Sequence, residues 1–117
     1  MYEVVIPLRI GLPAGVDLGE ALDRVTSELA KIDESTPGLL DYAVSSDASD
    51  STAVVEITVV AGDGLEALNG AVSWVRAAFH AAGGQTPGWE DRATKACTTY
   101  EIDPAEGQVE IRQLVDA

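Results

Sequence analysis

From Tyr2 to Ile10 the chain alternates, with Tyr2, Val4, Ile6, Leu8 and Ile10 on one side and Glu3, Val5, Pro7 and Arg9 on the other. That period of two belongs to a strand with one buried face. Pro7 has no amide to donate, so it fits an edge or a position whose amide would meet no partner. Gly11-Leu12-Pro13-Ala14-Gly15 ends the strand. The period then changes to 3.6: Leu18, Ala21, Leu22, Val25, Leu29 and Ile32 form one stripe, opposite Glu20, Asp23, Arg24, Ser27, Glu28 and Lys31. Asp17 followed three residues later by Glu20 is a capping-box signal, because the aspartate can accept the orphan amides of a first helical turn. Thr36-Pro37-Gly38 stops this helix.

Leu39 to Ser46 reads as a second strand, and a polar loop, Asp47-Ala48-Ser49-Asp50-Ser51, precedes a third from Thr52 to Val60. In the third strand Val55, Ile57 and Val59 face one way and Val54, Glu56, Thr58 and Val60 the other. Asp63 and Glu66 repeat the capping box, and a second helix runs to about Ala82, where Gly83-Gly84 releases it. Ala96 to Ile102 reads as a strand, Asp103 to Gly107 as a turn of hairpin length, and Val109, Ile111 and Val115 as alternate positions of a last strand.

Two stretches match within the chain. Asp17-Leu-Gly-Glu-Ala-Leu22 parallels Asp63-Gly-Leu-Glu-Ala-Leu68, and each is followed by Thr-Pro-Gly. The interval from cap to Thr-Pro-Gly is 19 residues in the first half and 23 in the second, so the second helix is expected to be about one turn longer. Either an internal duplication or independent convergence on good helix ends accounts for the match. The element order, β-α-β-β-α-β with an extra C-terminal strand, resembles the ferredoxin-like superfold. That resemblance implies an α+β domain with both helices on one face of an antiparallel sheet. One domain is expected over residues 1–117, with repeats at 2–46 and 52–102 and the last strand at 108–115.

The composition fits such a domain: 117 residues, 46% hydrophobic and 23% charged, suffice for one core. There is no apolar run long enough to span a membrane and no leader-like start, so a cytoplasmic protein without membrane contact is expected. Cys97 is the single cysteine and has no internal disulfide partner. A net charge of −13 repels phosphate backbones, which excludes nucleic acid as an expected partner. The acids are dispersed from Glu3 to Asp116 with no block of five, the pattern of a solvated surface, although an acidic mimic of nucleic acid stays open as an alternative. Seventeen alanines against two lysines and one asparagine suggest coding bias in a GC-rich genome. The stretch Phe79-His80-Ala81-Ala82-Gly83-Gly84-Gln85-Thr86-Pro87-Gly88-Trp89 resembles small acidic proteins common in GC-rich bacterial genomes, and that resemblance implies no activity.

Candidate chemistry concentrates in the second helix. Leu65, Leu68, Val72, Val75 and Phe79 form its expected core stripe. Ala67, Gly70, Ala71, Trp74, Ala77, Ala78 and Ala81 widen the weakly polar arc, so the helix wants more than one neighbour. Trp74, Ala71 and Ala78, with Trp89 further on, are therefore candidate interface residues. Cover from within the chain remains the alternative. Asn69, Ser73, Arg76 and His80, spaced four, three and four apart, line the remaining stripe as candidate ligand contacts. No nucleophile motif accompanies His80, no zinc or calcium spacing occurs, and the glycines form neither a dinucleotide fingerprint nor a P-loop. No metal or cofactor is expected.

The expected role is a non-enzymatic module that forms a homodimer through its open sheet face or second helix and binds a protein partner. Val5, Pro7, Val54 and Val60 are expected to leave that sheet face apolar. The rival is a dimeric α+β barrel-type enzyme or ligand carrier in which His80, Arg76 or Tyr100 lines a pocket between two sheets.

Overall fold

The computed structural model describes residues 1–47, 49–86, 99–102 and 109–114. Strand β1 (Tyr2–Gly11) leads to helix α1 (Leu18–Ser35), strands β2 (Leu39–Asp47) and β3 (Thr52–Val59), helix α2 (Gly64–Ala81) and two short strands, β4 (Thr99–Ile102) and β5 (Glu110–Gln113). The sheet order is β2-β3-β1-β4, with β5 also on β1, and every strand pair is antiparallel. This is the ferredoxin-like arrangement that the element order implies.

Local chemistry sets the helices. The Asp17 carboxylate accepts the Glu20 amide at 3.1 Å, and the Asp63 carboxylate accepts the Glu66 amide at 2.8 Å. Glu66 reaches back as a capping box requires, but to the Gly62 amide, 3.1 Å away, one residue before the cap. Leu18, Ala21, Leu22, Val25 and Leu29 are buried on α1, as its stripe predicts. They meet Val4, Ile6, Leu8 and Ile10 of β1 and Val55, Ile57 and Val59 of β3 in one core. Both helices therefore lie on the same side of the sheet.

Three expectations change. The two helices are equally long, 18 residues each. The four extra residues of the second half lie beyond α2, where Gly83 takes φ +90° and the Gly84 amide donates to Phe79 O at 2.9 Å. A left-handed residue at that point closes the helix, and glycine adopts it without a Cβ penalty.

Second, β4 and β5 are not a hairpin. β4 pairs with Leu8–Gly11 and β5 with Tyr2–Val5, so the two run end to end in the same direction along one edge of β1. Pro7 explains why the break falls there. Ile10 donates its amide to Ser51 O on the β3 side, and Met1 O accepts from Leu114 on the β5 side. By alternation Pro7 has its nitrogen toward the β4–β5 edge, between the two short ladders.

Third, the buried face of α2 is rotated from the expected stripe. Ala67, Ala71, Val75, Ala78 and Phe79 are buried, Leu68 and Val72 are only half-buried, and Leu65 is 67% exposed. Alanines let α2 approach α1 and the sheet closely, and the larger side chains are carried to the margin.

Candidate functional site

The C-terminal turn of α2 holds the histidine. His80 Nε2 and the Thr86 hydroxyl are 3.0 Å apart, and Thr86 is fully buried. Beside this pair the Phe79 and Tyr100 rings stack, with centroids 4.0 Å apart and planes within 2°. The Tyr100 amide donates to Gln85 O at 2.9 Å, and Gln85 bridges to Thr99. Gln85 and the Phe79–Tyr100 stack thus fasten the end of α2 to β4, and Thr86, which begins the second Thr-Pro-Gly, holds His80 beside them. The signal for this contact was the threonine six residues after the only histidine, but the spacing alone does not say that they meet.

Asn69, Ser73 and His80 are exposed along one side of α2, and Arg76 is half-buried there. The His80 ring is engaged with Thr86, and no pair within the four is hydrogen-bonded among the described interactions. Among the described residues no three histidine, cysteine or acidic side chains gather as metal ligands. Nor is any described helix long and apolar enough to cross a membrane.

The interface candidates divide. Ala71 and Ala78 are fully buried in this chain's own core and present nothing to a second chain. Trp74 is half-buried, its ring against the backbone of Gly38 and Gly70, where a Cβ would lie 3.5 Å and 3.6 Å from Cη2. It joins α2 to the start of β2. Trp89 and Cys97 lie outside the described residues.

Both described helices lie on the opposite side of the sheet from its other face. Reading across the register from β2 through β3 and β1 to β5, one row is Asp41, Thr58, Glu3 and Arg112, and the next is Ala43, Glu56, Val5 and Glu110. Ser45, Val54 and Pro7 follow, then Asp47, Thr52 and Arg9. Pro7 is buried and Val5 and Val54 half-buried, while the exposed Val60 lies beyond the end of β3. Among the described residues, Val5, Pro7 and Val54 thus form a narrow apolar strip between charges.

Arg112 organises one end of that face. It binds Glu110 at 2.9 Å and Glu3 at 3.4 Å, and Glu56 also adds to its field. The hydrogen bond and charge of Arg112 hold the Glu110 carboxyl below its ordinary range. A carboxylate depressed in this way favours the folded state above its unfolded titration range, and that contribution disappears as pH falls through the folded midpoint. Arg112→Met is expected to return the Glu110 midpoint upward to an ordinary value in a carbon-detected NMR titration. An unchanged midpoint would show that the contact does not persist in solution.

His80, Arg76 and Tyr100 all stand on the helix side: the first two on α2, and Tyr100 opposite Ile10, itself in the core. A pocket between two stacked sheets would not contain them. Comparison with family models, curated proteins and solved structures finds no match.

Proposed function

We propose that the chain is a non-enzymatic module whose function is association, with two copies meeting through the open sheet face. The observation that carries this reading is the charge order along β1, where Glu3 and Arg9 flank Val5 and Pro7 on that face. A two-fold axis across the strands reverses one β1 over the other and sets Glu3 of each copy above Arg9 of its partner. Val5 and Val54 then lie at the centre, an isologous contact with an apolar middle and a charged rim. The side chains with catalytic potential give no competing site, because His80 is bound to Thr86 and Tyr100 is in the core.

Light scattering after size exclusion at tens of micromolar should give twice the 12.2 kDa chain mass. Val54→Lys should return it to one chain, since a buried unpaired charge at the centre costs several kcal/mol. A wild-type monomer at that concentration refutes the reading.

A further inference from the structure

A second surface is the outer edge of β2, which pairs with no other described strand than β3. Val60 donates its amide to Gly38 O, so the even-numbered residues of β3 bond toward β2, and Asp41, Ala43, Ser45 and Asp47 are their partners. Alternation leaves the backbone N–H and C=O of Tyr42, Val44 and Ser46 directed outward. Among the described residues no backbone group meets them there. The Tyr42 amide is held by the neighbouring Asp41 carboxylate at 2.8 Å, and a bulge at Leu40 interrupts the ladder. Both features blunt one end of the edge, as natural edge strands do. Val44 and Ser46 remain open.

The charge around this edge has one sign. Between Lys31 and Arg76 the chain has eight acids and no lysine, arginine or histidine. Asp41 and Asp47 stand exposed on β2 itself, Glu56 beside Ala43 and Asp50 in the following turn. α1, which packs against β2, ends with Asp33 and Glu34 and no basic residue in its last turn. Its negative dipole end therefore adds to the field. Hydrogen bonds from the Ser49 hydroxyl and amide keep Asp47 below its ordinary titration range, hence ionised at neutral pH.

A second copy is a poor occupant. The antiparallel pairing that uses all three outward residues, centred on Val44, would set Asp41 of each copy opposite Asp47 of the other. Like charges directly opposite are destabilising. We propose instead that the β2 edge receives an extended basic segment of another protein by strand addition. Its lysines or arginines lie on the open-face side against Asp41 and Asp47, and apolar residues sit beside Tyr42 and Val44. Backbone hydrogen bonds supply the ladder and the acids select the partner.

The probe is a peptide as long as β2, nine residues, alternating lysine with valine. Three companions test the separate parts: prolines for its valines, glutamates for its lysines, and the same composition scrambled. Calorimetry against the full chain should show binding of the alternating peptide. The proline, glutamate and scrambled forms should each be weaker by about ten-fold or more. Ser46→Pro, which removes an outward amide at an exposed edge position, should weaken binding by about the same factor. Asp41→Lys with Asp47→Lys should lose the lysine peptide and gain the glutamate one, so the charge claim is decided even if Ser46→Pro fails to fold by circular dichroism.

Equal binding of the alternating and proline peptides would mean charge attraction alone and would overturn the proposal. So would wild-type affinity in a folded Ser46→Pro, or no binding at about 1 mM peptide. A chain mass halved by Ser46→Pro would make a second copy the occupant instead. Val54→Asn, which weakens the apolar centre of the open face without adding charge beside Ser45, should leave peptide binding unchanged, so failure of open-face dimerisation and failure of strand addition are read separately.

Discussion

Phe79→Ala is expected to lower stability by about 4 kcal/mol, a large part of the margin of a domain of this size. Phe79 is fully buried between α2 and the sheet, and Ala78 and Val75 beside it are also buried. The substitution loses the ring's transfer energy and leaves a cavity that alanines are too small to fill. It also strips the stacked partner from Tyr100, a contact worth about 1 kcal/mol beyond area. Because Tyr100 is the described core side chain of β4, the loss should loosen the end of α2, Thr86 and β4 together. A thermal melt should show the midpoint falling by roughly 15 °C. Phe79→Leu retains most of the volume and should cost markedly less. A loss under about 1.5 kcal/mol for the alanine variant would mean that the ring is not packed as described.

Ala71→Leu is expected to destabilise the folded chain by about 2 kcal/mol, independent of protein concentration. Ala71 is fully buried on the face of α2 that meets the core, and a leucine there must push the helix away from its neighbours. Had this alanine face a second chain, the same change would alter the mass measured by light scattering and leave the unfolding of the single chain nearly unchanged. Leu65→Ser on the exposed side provides the contrast and should stay within about 0.5 kcal/mol of the parent. Equal effects at the two positions would show that the rotated face of α2 is wrong.

The two substitutions also locate where the sequence was sufficient. The stripe of α1 was legible because its apolar residues are large and contiguous, and only one orientation buries them. α2 carries apolar or small residues around most of its circumference, so periodicity favoured the large ones. Close approach to two neighbours buried the alanines instead. The extra residues before the second Thr-Pro-Gly looked like another helical turn because spacing records length and not conformation. Gly83 used that length for a left-handed closure.

The candidate site divides in the same way. The stripe of Asn69, Ser73, Arg76 and His80 does lie along one side of α2, because helical spacing dictates it. That the His80 ring meets a buried Thr86, and that Tyr100 turns into the core and away from the open face, depended on where β4 docks against β1. Arg112 reaching Glu3 joins residues 109 apart in sequence. The local signal was no more than Glu110 and Arg112 at alternate positions of a strand.

By itself the sequence determined the caps at Asp17 and Asp63, the alternating strands, the element order and the position of Pro7 at an amide without a partner. Each depends on contacts within a few residues or on a repeating period. The tertiary structure alone decided that β4 and β5 share one edge of β1, that the alanines of α2 are core, and that β2 stands at the acid-flanked end of the described sheet. Those outcomes are set by which distant strands pair and how closely the layers approach, and neither quantity has a local signature in the chain.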